Sequence, residues 1–180
     1  MRARRAAFTA LFIALSVVLT RFASLRIAIG GVEGIRIGLG SLPSIMAGML
    51  LGPAYGFISG SLADVIGFFL SPMGGYMPHF TLSAGLMGGL PGLVSLAFRK
   101  TGVSGRIPGW VETVLSVAAG IMTVSWGLTP HFLSTLYGLP RAVIMPPRIV
   151  AAIIEIPAYS LIIRAVSASY VRLYAGKKPA

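Results

Sequence analysis

Residues 6–20, 37–63, 65–98 and 113–140 contain no charged side chain. A helix crossing a bilayer needs about 20 predominantly apolar residues, so the longer of these stretches must be divided at their breakers. Gly52-Pro53 separates Leu42–Leu51 from Ala54–Leu70, and the run Ser71-Pro72-Met73-Gly74-Gly75-Tyr76-Met77-Pro78 ends the segment that follows, because Gly and Pro punctuate helices. The pattern predicts six helices near 6–25, 39–51, 54–71, 79–98, 110–130 and 146–170, the second of them short. The expected fold is an all-α integral membrane protein, a six-helix transmembrane bundle forming a single domain over 1–180.

Composition supports the membrane. The chain is 56% hydrophobic and 11% charged, against about 25% charged residues in ordinary soluble domains, and its mean hydropathy is +0.87. A soluble core built from 180 residues cannot enclose so much apolar side chain. The absence of Cys excludes a disulfide scaffold, a zinc-finger site, a thiol nucleophile and a Cys-ligated cluster.

The net charge of +11 raises nucleic acid as a partner, but the basic residues lie between apolar segments and not on an amphipathic domain surface. Topology accounts for most of them. With a cytoplasmic N-terminus, Arg2, Arg4, Arg5, Arg99, Lys100, Arg106, Arg164, Arg172, Lys177 and Lys178 fall inside, and Arg21, Arg26, Arg36, Arg141 and Arg148 fall outside. The positive-inside rule then predicts that both termini are cytoplasmic. The basic start and apolar stretch resemble a secretory leader, but no small-x-small cleavage pattern follows, so this stretch is expected to be the first helix. The outer arginines either snorkel at helix ends or, for Arg26, Arg36 and Arg148, form an anion-attracting rim.

No catalytic constellation is visible. His79 and His131 have no helical metal-ligand spacing, Ser lacks a matching His/Asp set, and no phosphate-binding Gly-x-x-x-x-Gly-Lys-Ser/Thr pattern occurs. The reading is therefore non-enzymatic, without cofactor or metal, and any driving energy comes from a partner or a gradient.

Asp64 and Glu155 are the carboxylates inside predicted helices, and a carboxylate within a bilayer is a functional candidate by default. Glu155 follows Arg148 by about two helical turns, so the two share a face. That wall suits an elongated ligand with an amidine-like donor edge at one end and carboxylates at the other. A structural ion pair, to each other or to Arg36, is the alternative. Asp64 is read as a hydrogen-bond acceptor within the bundle.

Tyr76, Phe80, Trp126, Phe132 and Tyr137 gather at the same outer end, where interfacial belts also place aromatic residues. Tyr76-Met77-Pro78-His79-Phe80-Thr81 combines rings and hydroxyl groups at a helix entrance, a composition able to stack on a flat heterocycle. Ala6, Ala10 and Ala14 recur every fourth residue on one face of the first helix, where small side chains let another helix approach closely. The echo of Ala47-Gly48-Met49-Leu50 in Ala84-Gly85-Leu86-Met87 is accounted for by small-residue packing.

These motifs together resemble a known family. Gly34-Ile35-Arg36-Ile37, Leu42-Pro43, Ala47-Gly48-Met49-Leu50-Leu51-Gly52-Pro53, Gly56, Gly60 and Asp64 resemble the substrate-binding S components of energy-coupling factor (ECF) vitamin transporters. Gly75–Ala84, Leu136-Tyr137-Gly138 and Met145-Pro146-Pro147-Arg148-Ile149 are similar to the folate branch. The chain departs from that branch at Thr129-Pro130-His131-Phe132, where folate members carry an Asn and a Trp, with Trp126 one turn earlier as the substitute stacking ring.

The resemblance implies six membrane helices, a multi-pass location in a prokaryotic plasma membrane, and a vitamin held near the outer side beneath the loop joining the first two helices. It also implies docking through Ala6, Ala10 and Ala14 on a transmembrane coupling subunit that carries two ATPase subunits. Arg26 and Arg36 fall in the gating loop. The expected ligand is folate or a related vitamin, contacted by Arg26, Arg36, Tyr76, Pro78, His79, Phe80, Thr81, Trp126, His131, Arg148 and Glu155. Another anionic vitamin such as pantothenate is the first alternative, and a small membrane-embedded enzyme acting on lipid is the remote one.

Overall fold

The computed structural model describes residues 2–22, 24–29, 32–70, 75–102 and 107–175. Helix α1 spans Arg2–Phe22, strands β1 and β2 span Ser24–Ile29 and Val32–Gly38, and a 3-10 turn at Leu39–Ser41 leads into α2, Leu42–Leu51. Then follow α3 (Pro53–Leu70), α4 (Pro78–Lys100), α5 (Gly109–Ile121), a π-helical segment (Met122–Leu128), α6 (Thr129–Tyr137) and α7 (Arg141–Ala175). Among the described residues five spans are long and apolar enough to cross a membrane, with α5, the π-helical segment and α6 forming one of them, and Leu39–Leu51 is a shorter apolar helix. The expected helical bundle is present.

It is not purely helical. The first helix ends at Phe22, short of residue 25, and the next residues pair as an antiparallel hairpin in which Leu25 faces Ile37, Arg26 faces Arg36 and Ile27 faces Ile35, with a bulge at Ile27/Ala28. The reason is legible in the chain: Leu25, Ile27 and Ile29 alternate with Arg26 and Ala28, a period of two that suits a strand. Two helix boundaries also move. The fifth span runs to Tyr137 and does not stop near 130, and α7 begins at Arg141, ahead of Pro146 and Pro147. Proline inside a membrane helix is tolerated where neighbours and local π or 3-10 adjustments satisfy the freed carbonyls.

The short helix is the innermost. Residues Leu42 to Met49 of α2 are all buried, and Leu42, Ile45, Met46 and Met49 form one cluster with Val117 and Ile121 of α5 and Ala152, Tyr159 and Ile163 of α7. Beside it α2, α3 and α4 meet almost backbone to backbone. A Cβ added at Gly48 would collide with the carbonyl oxygen of Gly88, and one at Gly88 with that of Gly56. Without a hydrophobic driving force in lipid, such close approach supplies the packing energy. The outer faces carry exposed Phe69, Ile153 and Leu161, as expected of side chains surrounded by hydrocarbon.

Candidate functional site

The short connection at Gly52 and the successive packing of α3 on α4 and α4 on α5 make neighbouring helices alternate in direction. The hairpin, the N-termini of α2, α4 and α7 and the C-termini of α3 and α6 therefore gather at one end. Most of the predicted site residues lie there, in two groups.

The inner group stands between the π-helical segment, α7 and the hairpin. Arg148 is only 8% exposed, and its Nη1 donates to Ser125 Oγ at 3.5 Å. Glu155 Oε1 accepts the backbone N–H of Gly38 at 3.2 Å. Trp126, next to Ser125, packs against the buried core cluster, while its Nε1 is buried with no hydrogen-bond partner among the described residues.

Pro130 explains why the helix is wound loosely here. It has no N–H for the carbonyl one turn earlier, and just before it the backbone N–H of Thr129 reaches back to Val124 O, which also accepts Thr129 Oγ1 at 2.9 Å. A π-helical turn re-aims side chains and is common at functional sites.

The outer group forms the rim. Tyr76 O–H and Thr81 Oγ1 lie 3.0 Å apart, and Thr81 Oγ1 donates to Asp64 Oδ2 at 2.8 Å, which ties the start of α4 to α3. The Tyr76 ring leans on Phe68 with centroids 5.2 Å apart. On the opposite side the His79 ring lies 5.1 Å from that of Phe132, and Tyr137 O–H donates to Met77 Sδ at 3.3 Å. Arg141 Nη2 is 3.2 Å from His131 Nδ1. Pro78 and His79 are exposed and Phe80 is half-buried.

Arg26 and Arg36 are cross-strand partners in the hairpin, and their side chains lie outside the described residues. Arg21 does not reach the inner group; its Nη2 donates to the carbonyl of Gly67, a cation at the C-terminal end of α3 where the helix dipole favours it.

Two acids are set apart by their surroundings. Glu112 sits in the first turn of α5, accepts from Ser95 Oγ at 2.9 Å and lies 3.8 Å from Arg99 Nε, so it joins α4 to α5 at the other end. Asp64 lines a polar cavity of about 40 Å³ with Ser16, Thr20 and Ser44, which has room for water and not for a vitamin. Among the described residues no group of three His, Asp or Glu side chains comes together as metal ligands.

Sequence reasoning missed Ser125, Gly38 and Tyr159. Tyr159 carried a signal, since it stands four residues after Glu155 and shares its helix face.

A membrane bundle that keeps an arginine, a carboxylate and an indole N–H together at one end has the makings of a subunit that binds a small organic ligand. The family model for the ECF-type riboflavin transporter S component matches residues 1–172, and the chain belongs to that family. It is a multi-pass membrane protein.

The folate transporter FolT of Clostridium novyi (strain NT) is 36% identical over 158 residues, covering 87% of this chain and 83% of that protein. A crystal structure of FolT bound with folic acid is similar with a TM-score of 0.69 at 27% identity, covering 89% of each chain. The S component for biotin from an ECF-type ABC transporter has a TM-score of 0.60 at 20% identity, covering 89% of this chain and 91% of that one, a likeness of fold alone.

Proposed function

We propose that this S component binds folate or a reduced folate with high affinity and delivers it for uptake, energised by a separate transmembrane coupling subunit and two ATPase subunits. The observation that carries the reading is the wall of α7. Arg148 and Glu155 lie two turns apart on one face, and Arg148 reaches Ser125, the neighbour in the chain of Trp126, whose Nε1 has no hydrogen-bond partner among the described residues. Glu155 accepts from the aminopyrimidine edge of the pterin, a two-point pairing that a carboxylate serves well. Arg148, with Arg36 and Arg26 from the hairpin, engages the glutamate carboxylates.

Trp126, Tyr76 and Phe80 hold the pterin, with Pro78, His79, Thr81 and His131 lining its entrance. Similarity to the folate transporter of C. novyi and to FolT bound with folic acid supports the ligand. Riboflavin, named by the family description, has a flat ring but no carboxylate to match Arg148.

Ala6, Ala10 and Ala14 are all exposed on α1, on a stripe distinct from that of buried Thr9, Ser16 and Thr20, which supports α1 as the docking face for the coupling subunit. The distribution of Lys and Arg supports cytoplasmic termini in a prokaryotic plasma membrane.

Mass spectrometry of small molecules co-purifying with the protein tests the ligand, and a folate is expected. In equilibrium binding Glu155→Gln loses about 10- to 100-fold in affinity, the scale of one charge-assisted hydrogen bond. Equal binding by the variant contradicts the assigned role.

A further inference from the structure

Gly38 ends β2, and both of its backbone polar groups are held by side chains of α7. Its N–H donates to Glu155 Oε1 at 3.2 Å, and its carbonyl accepts the hydroxyl of Tyr159. Glu155 and Tyr159 are one helical turn apart on one face, so a single wall grips one glycine from two sides. The backbone of Gly38, at φ 156° and ψ −172°, lies in a region that other residues essentially do not enter. Tyr159 is 2% exposed and Gly38 is half-buried, so the bond between them is largely shielded from water and its loss is not made good cheaply.

We infer that Tyr159 is the positioning residue that fastens the β2 end of the hairpin to α7, and that it thereby sets how long a ligand at Glu155 stays bound. The second part rests on the reading that Glu155 contacts the ligand. A carboxylate has acceptor sites for more than one donor, so Gly38 and the ligand meet at the same group. The Gly38 bond to Glu155 is therefore one that an arriving or departing ligand disturbs. The Tyr159 bond is made to the opposite side of the glycine and does not compete with the ligand. It holds the strand end in place while the carboxylate changes partners.

The test uses Tyr159→Phe, which keeps the ring and removes the hydroxyl. Hydrogen exchange of the ligand-free full chain is followed in peptides covering 24–38, and folate release and association are measured by stopped flow. The expected result is about tenfold faster exchange in the hairpin with α3 and α4 unchanged, and about tenfold faster release with association within about twofold, the effect of one lost buried hydrogen bond.

Glu155→Gln retains an oxygen for the Gly38 N–H, so hairpin exchange stays near wild type while affinity falls. Should Tyr159→Phe fold poorly, Gly38→Ala disturbs the same joint from the strand side and is expected to give the same hairpin signature.

Unchanged hairpin exchange overturns the fastening role. Faster exchange spread over the whole chain also overturns it, because that marks a general packing loss. Fast hairpin exchange with an unchanged release rate overturns the link to ligand retention. Failure of the wild type to bind folate counts against the folate reading alone, since exchange in the ligand-free protein still decides whether Tyr159 fastens the hairpin.

Discussion

Arg148 is the residue most at odds with its setting. It is 8% exposed within a span long enough to cross a membrane, where an arginine is costly and is retained for a purpose. If it receives the glutamate carboxylates, Arg148→Met weakens folate about 10- to 100-fold but leaves 6-methylpterin, which keeps the pterin and has no carboxylate, within about threefold. Parallel titrations of both ligands read this difference, and an equal loss for the two contradicts the role. Trp126 is tested through its nitrogen: Trp126→Phe keeps an aromatic ring but removes Nε1, and affinity falls by about tenfold, one hydrogen bond.

At this scale the sequence was informative where chemistry is local. The spacing of Arg148 and Glu155 places them on one face whatever the rest of the fold does. Gly38 could not be found that way, because its partners are 117 and 121 residues distant in the chain.

Among elements, the packing of α2, α3 and α4 depends on glycines that no side chain can replace. Gly48→Leu would drive its side chain into the backbone of α4 at Gly88, and overpacking of this kind costs about 1–3 kcal/mol or more. A lower melting temperature in detergent checks it. Gly109→Ala is the control, since nothing lies near its added Cβ.

On α1 the exposed alanines predict the opposite pattern: Ala10→Trp leaves folate binding within about twofold but cuts co-purification with the coupling subunit at least tenfold, as a bulky residue at a small-residue helix contact does. The helices were readable from charge-free stretches and Gly-Pro breaks. The hairpin's alternation was present but was absorbed into a loop between two helices. The π-helical segment was hidden because Pro130 announces a break, and its consequence, a loosened turn that sets Ser125 against Arg148, depends on what α7 offers across the gap.

For the whole molecule, the asymmetry of basic residues predicts which end faces the cytoplasm. The chain has no Cys, so single introduced cysteines report without background. In intact cells Leu139→Cys, at the hairpin end, is expected to react with a membrane-impermeant maleimide, and Thr101→Cys, at the other end, only after lysis; the reverse pattern contradicts the topology. The family is established by the match over residues 1–172, and the cargo rests on the α7 wall and the folate relatives.

The most direct measurement is isothermal titration of the purified full chain with folate, in competition with riboflavin, biotin and pantothenate. The account predicts one folate per chain in the nanomolar to micromolar range, about −8 to −12 kcal/mol, undiminished by an excess of the other three. Heat-silent folate together with saturable binding of riboflavin, biotin or pantothenate would contradict it.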